Sequence, residues 1–262
     1  MSKLKDMQNK RNFQASFKAP EKEPDWGDGE FTLDDALSDV VPPRDFVIPG
    51  LPTAKVGILA ADGGVGKSFW ALQSILQVAS GGLCDFKLAG AEQDFNHQDP
   101  RKFGTVLYVS LEDARYDIDE RMQLIQDYWI NNDRDVAQFM NEDLRHSGYV
   151  RILGLGGKGV TLFDDDKSPT PHFKKIQKRC RELPNLRYIV VDTLSRTSDA
   201  DENDNPVMGS HMRHFEKLAE DHKCAVLVLH HENKGGRGDK EIGAGAVRGA
   251  SSIVANTRCT LR

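Results

Sequence analysis

Val56-Gly57-Ile58-Leu59-Ala60 runs directly into Ala61-Asp62-Gly63-Gly64-Val65-Gly66-Lys67-Ser68-Phe69. An apolar run of strand length, a glycine-rich turn and the start of a helical pattern follow one another without a break. That context is the one a phosphate-binding loop needs. The glycines let backbone N–H groups turn inward around a phosphate, and the helix N-terminus adds positive potential. In that arrangement Lys67 reaches β- and γ-phosphates and Ser68 holds Mg²⁺, with Asp62, Gly63, Gly64, Val65, Gly66 and Phe69 completing the nucleotide cradle. The first position of the motif is Ala61, where glycine is usual.

Working outward, strands apolar on both faces alternate with helical patterns. Thr105–Ser110, Tyr149–Leu153, Tyr188–Asp192 and Ala225–His230 read as strands. Lys67–Ser80, Asp117–Trp129, Pro171–Arg181 and about Val207–His222 read as helices. Continuous apolar strands separated by helices predict a mostly parallel sheet covered on both sides, a three-layer α/β core. Residues 1–44 are polar and read as a disordered tail, apart from a short amphipathic patch, Phe31–Val41, suited to docking. Residues 45–262 read as one domain. Its last residues, Thr257–Arg262, have the pattern of a strand, so the sheet is expected to stop short at its C-terminal end.

Three further stretches carry chemistry. Tyr188-Ile189-Val190-Val191-Asp192 ends in the carboxylate expected to share Mg²⁺ with Ser68. Glu112 and Asp113 follow the strand after the phosphate loop, where a carboxylate either polarises an attacking water or caps the next helix. His230-His231 ends another strand at the same sheet edge. Adjacent strand residues point to opposite faces, so a shared metal is disfavoured and a polar group sensing phosphate fits better. Gly154–Gly159 fits a dinucleotide-binding pattern but runs into no helix, and that reading is discarded.

Composition sets the outer bounds. The chain has 262 residues, 35 Lys and Arg against 40 Asp and Glu, a net charge of -5 and 39% hydrophobic residues. No stretch approaches the roughly 18 apolar residues that span a bilayer and no apolar leader opens the chain, so the expected setting is cytoplasmic, without a membrane. The four cysteines show neither disulfide nor zinc spacing. Residues 1–45 carry 7 basic and 10 acidic side chains, which leaves the rest close to neutral. An acidic balance of this kind disfavours broad duplex coating but not binding at one basic place.

Taken in order, Asp45–Gly50, Ala61–Ser68, Leu111–Asp113, Val190–Arg196, Leu229–His231 and Arg248–Ser252 resemble the RecA-like core of RepA-type plasmid replicative helicases and related AAA ATPases of plasmids and phages. The resemblance implies an ATP-hydrolysing ring, usually a hexamer, with ATP and Mg²⁺ between subunits and single-stranded DNA in the channel. It implies Glu112 as the catalytic carboxylate, Lys67 and Ser68 on phosphate and metal, Asp192 on metal, and His230 or His231 as phosphate sensor, with His230 taken as the first choice. It further implies Arg248 as a finger given to a neighbour's ATP and Arg121 as a second arginine near the phosphates. DNA is expected at the Asn233–Gly249 loop, which carries Lys234, Arg237, Lys240 and Arg248 against Asp239 and Glu241. A replication initiator or primase is a possible partner. Two other readings stay open: a recombination or repair ATPase forming filaments on single-stranded DNA, and a non-hydrolysing, ATP-dependent assembly factor.

Overall fold

A computed structural model describes residues 29, 31–38, 41, 43–84, 103–200, 204–231 and 259–261. The chain divides into two units, Met1–Pro43 and Arg44–Arg262. In the first, the described part holds one short helix, α1 (Leu33–Ser38), inside the segment expected to be disordered. Thr32 and Asp35 cap it reciprocally: the Asp35 carboxylate accepts from the Thr32 N–H at 2.8 Å, and the Thr32 hydroxyl accepts from the Asp35 N–H at 3.1 Å.

The second unit opens with a small antiparallel hairpin, β1 (Phe46–Ile48) and β2 (Leu51–Pro52). The main elements then follow in order: β3 (Val56–Ala61), α2 (Lys67–Ala79), β4 (Thr105–Ser110), α3 (Arg115–Asn132) and α4 (Arg134–Phe139). A π-helical turn, Met140–Leu144, extends α4 towards β5 (Val150–Gly154). The unit continues with α5 (Pro171–Glu182), β6 (Leu186–Asp192), α6 (Asn205–His222), β7 (Ala225–His231) and β8 (Cys259–Leu261).

Six strands form one sheet in the order β5-β4-β6-β7-β3-β8, every neighbouring pair parallel. The strand expected near the end of the chain is β8, which aligns Gly57 with Cys259 and Leu59 with Leu261.

Alternation along the strands builds the two outer layers. Val106, Tyr108, Tyr188, Val190, Leu227 and Leu229 pack with Leu72 and Ile75 of α2 and Ile118 and Ile125 of α3. Leu107, Val109, Ile189, Val191, Val226 and Val228 pack with Phe173 and Ile176 of α5 and Met212 and Phe215 of α6. Each Leu or Ile buried so completely contributes about 1.5–3 kcal/mol, and the three-layer α/β architecture follows from satisfying both faces at once.

The helices begin where the sequence offers caps. Thr170 accepts from the Phe173 N–H at 3.3 Å with Pro171 in the first turn of α5. Asp204 accepts from the Val207 N–H at 3.1 Å at the start of α6. Among the described residues no helix is long and apolar enough to cross a membrane.

Candidate functional site

The loop between β3 and α2 carries the first group of site residues at the C-terminal edge of the sheet. Gly64 and Gly66 have φ of 78° and 95°, a left-handed backbone that side chains resist. Residues 63–66 are exposed, while Lys67 is 8% exposed. The Lys67 ammonium folds back on its own loop, donating to the Ala61 carbonyl at 2.8 Å and the Asp62 carbonyl at 2.7 Å.

A third Lys67 contact runs to His231 Nδ1 at 3.2 Å, and His231 Nε2 lies 3.2 Å from Glu112 Oε2. An ammonium can only donate. Nδ1 therefore accepts, and neutral His231 carries its proton on Nε2, donating to Glu112. The three side chains form one line: phosphate-loop lysine, imidazole, carboxylate.

Strand order explains the line. β7 lies between β3 and β6, with Ala61 beside His231 and Ala60 beside His230. Leu227 and Leu229 point to the α2 layer, so His231 does too, whereas His230 points to the α5/α6 side and is 4% exposed. Of the two histidines considered from sequence, His231 meets Lys67 and Glu112. His230, the first choice, is its buried neighbour on the other face.

Asp192 ends β6 beside Ser110 of β4. The Tyr108 hydroxyl donates to Asp192 Oδ2 at 2.6 Å, and Ser68 hydrogen-bonds the same carboxylate. Burial raises the Asp192 carboxyl above its usual range against the pull of these two hydrogen bonds. Burial and the Asp192 charge drive the Tyr108 phenol upward in turn. A serine hydroxyl and one carboxylate are hard oxygen ligands, the minimal protein share that Mg²⁺ takes alongside phosphate and water. Ser68 and Asp192 therefore fit that ion. Among the described residues no three His, Cys, Asp or Glu side chains gather as a metal cluster.

Asp113 does not cap α3. Asp117 accepts from the Ala114 N–H there at 3.1 Å. Asp113 instead makes a two-pronged ion pair with Arg121, and its own N–H donates to Ser110 Oγ at 2.9 Å. The Arg121 guanidinium lies 6.0 Å from the Phe69 ring centroid. The structure thus gathers Lys67, Ser68, Phe69, Glu112, Arg121 and Asp192 around one sheet edge. Arg248 and the basic positions of the 233–249 loop lie outside the described residues.

Two contributors escaped the sequence reading. Tyr108 sits mid-strand and reads as core; only the β4–β6 register reveals its hydroxyl beside Asp192. Gly156, within the discarded glycine pattern, packs its backbone against the turn carrying Glu112. A Cβ there would stand 2.4 Å from the Glu112 carbonyl oxygen and 2.4 Å from the Asp113 carbonyl carbon.

A parallel sheet with a left-handed glycine loop, a buried lysine and a paired serine and carboxylate defines a P-loop nucleotide-binding protein. A family model described as "AAA domain" matches residues 20–237. The chain belongs to that family of P-loop ATPases, with the AAA/RecA-like core the resemblance implied.

Proposed function

We propose that this protein hydrolyses ATP as a ring-forming DNA helicase serving plasmid or phage replication, with ATP bound between subunits. The observation that supports hydrolysis is the Lys67–His231–Glu112 line, which ties the phosphate-loop lysine to a carboxylate positioned by a separate strand. A protein that only bound nucleotide would have no use for that carboxylate.

In this reading the backbone N–H groups of residues 63–66 hold the phosphates, and Lys67 leaves its own loop for the γ-phosphate. Glu112 orients the attacking water and takes its proton, and His231 reports the state of the γ-phosphate to Glu112. Ser68 and Asp192 would hold Mg²⁺, which would supply positive charge to offset that of the phosphates. Arg248 of a neighbouring subunit supplies the trans charge, typically worth ~10³–10⁵ in turnover. Single-stranded DNA in the channel, a hexameric state and an initiator or primase partner rest on the sequence resemblance.

The test is ATP-dependent displacement of a labelled strand from forked DNA, with Lys67→Ala as control and particle imaging alongside. Closed rings with displacement support the helicase. Open filaments without displacement refute it and favour the recombination ATPase.

A further inference from the structure

We infer that the exposed face of α5, together with the cavity at its C-terminal end, docks the phosphate backbone of single-stranded nucleic acid. The surface lies apart from the nucleotide edge, and it deepens the DNA-binding part of the reading above.

α5 is the charge anomaly of an acidic chain. Its sequence, PHFKKIQKRCRE, holds five Lys and Arg against one Glu. Phe173, Ile176 and Cys180 are buried, while Lys174, Lys175, Lys178, Arg179 and Arg181 are all exposed. Lys174, Lys178 and Arg181 follow one another at helical spacing, and Lys175 and Arg179 form a second row beside them. Other helices of this chain mix their charges: α6 pairs Lys217 with Asp221 and α3 pairs Arg115 with Asp119, both at i,i+4. On α5 the same spacing sets lysine against lysine and lysine against arginine. Among the described residues only Arg179 is paired, with Glu182 at 3.2 Å. Arg179 and Arg181 suit a helix C-terminus, but Lys174 and Lys175 stand near the positive end and gain nothing from it.

The basic row leads to a cavity of about 560 Å³ lined by Asp45, Thr53, Arg181, Arg187, His222 and Lys223, among others. These residues lie at the N-terminal edge of the strands, opposite Lys67. Its two acids are already engaged: Asp45 with both terminal nitrogens of Arg187, and Asp221 with Lys217. Arg187 has an 8% exposed side chain, and its Nε–H is buried without an acceptor among the described residues. Arg181 and Lys223, both exposed, are the cations that a phosphate in the cavity meets. Guanidinium groups also match phosphate geometry.

Two polyanions are conceivable, the second being the acidic Glu21–Asp39 segment of another copy, with eight Asp and Glu against Lys22. That segment also presents Phe31, Leu33 and Leu37, 70%, 75% and 78% exposed, which would need an apolar acceptor. The outer face of α5 offers only charge, so a phosphate backbone fits it better.

The experiment is fluorescence anisotropy of a labelled oligothymidylate with the full chain, ATP and Mg²⁺, over a salt series. Wild type is compared with Lys174→Glu/Lys178→Glu, with the charge-conserving Lys174→Arg/Lys178→Arg, and with Lys234→Ala/Arg237→Ala/Lys240→Ala in the loop. Each lost phosphate contact reduces the slope of log K against log salt by about 0.7. The Glu variant is expected to lower the slope by about 1.4 and affinity about tenfold. The Arg variant should match wild type, and DNA-free ATPase activity should be unchanged in both. Equal slope and affinity in the Glu variant overturn the inference. If the loop variant alone then loses binding, DNA binding itself stands; if wild type binds no oligonucleotide, both fall. A Glu variant that loses only self-association, by sedimentation, also overturns it and assigns α5 to the acidic segment.

Discussion

Gly156→Ala should slow hydrolysis about a hundredfold without touching the phosphate loop. The added methyl would lie 2.4 Å from Glu112 O and Asp113 C and 2.7 Å from Ala114 N, where ordinary contact is 3.4–4 Å. All three atoms are backbone, so no rotamer change relieves the overlap. The turn carrying Glu112 must retreat by about 1 Å, a displacement that can cost ~10²-fold in rate when it misplaces a reacting group. The Gly156 N–H bond to the Asp113 carbonyl, 3.1 Å long, would be strained as well. Overpacking of this kind costs about 1–3 kcal/mol of stability, so the melting temperature should fall by several degrees. Steady-state ATPase assays should show the loss in kcat, while a fluorescent ATP analogue should bind within about threefold of wild type because residues 61–68 are not contacted. A folded variant with unchanged kcat would refute the reasoning. Gly154→Ala, whose methyl would meet Arg115 N at 3.1 Å, should be milder.

Other outcomes follow from the same geometry. Tyr108→Phe removes one of the hydrogen bonds that pull the Asp192 carboxyl down, so the acid limb of the ATPase pH profile should move to higher pH. The Mg²⁺ requirement should rise about tenfold, the size of one hydrogen bond to a charged group; an unmoved acid limb argues against it. His231→Ala should lower kcat by ~10²-fold with near-normal nucleotide binding. His230→Ala should lower the melting temperature more than kcat, and the reverse pattern would exchange their roles. His211, fully buried and stacked 4.3 Å from Phe163, is held by burial down to about 4. Its unfolded form binds a proton first, so stability should fall as pH drops from about 6.5 to 4. On the order of 2 kcal/mol should be lost there, and His211→Phe should flatten that part of the urea-midpoint profile.

The sequence carried the phosphate loop because its requirements are local: Gly64 and Gly66 supply the backbone and Lys67 and Ser68 the chemistry within one turn. The main strands were equally legible, since β4, β6 and β7 are apolar on both faces. What escaped depends on register between distant segments. Nothing in His230-His231 says which one shares a face with Lys67; that is decided when Leu227 and Leu229 pack on α2. The Tyr108 hydroxyl meets Asp192 only because β4 and β6 align Ser110 with Asp192. The Asp113–Arg121 pair required knowing that Ala114 and Asp117 take over the helix cap. The helical segment 134–147 has too few apolar residues to announce itself, and the Gly154–Gly159 pattern gave no sign that Gly154 and Gly156 pack closely against the turn at 112–115.

Lys67 donates to three acceptors at once. A ligand must therefore outbid the loop's own carbonyls and an imidazole, and a nucleoside without phosphates gains nothing by trying. The same contacts wait for the ammonium when the γ-phosphate departs, so the lysine never has to be stranded in a dry site. The lysine is thus returned to the contacts it started from, as an ATPase requires if each turnover is to end.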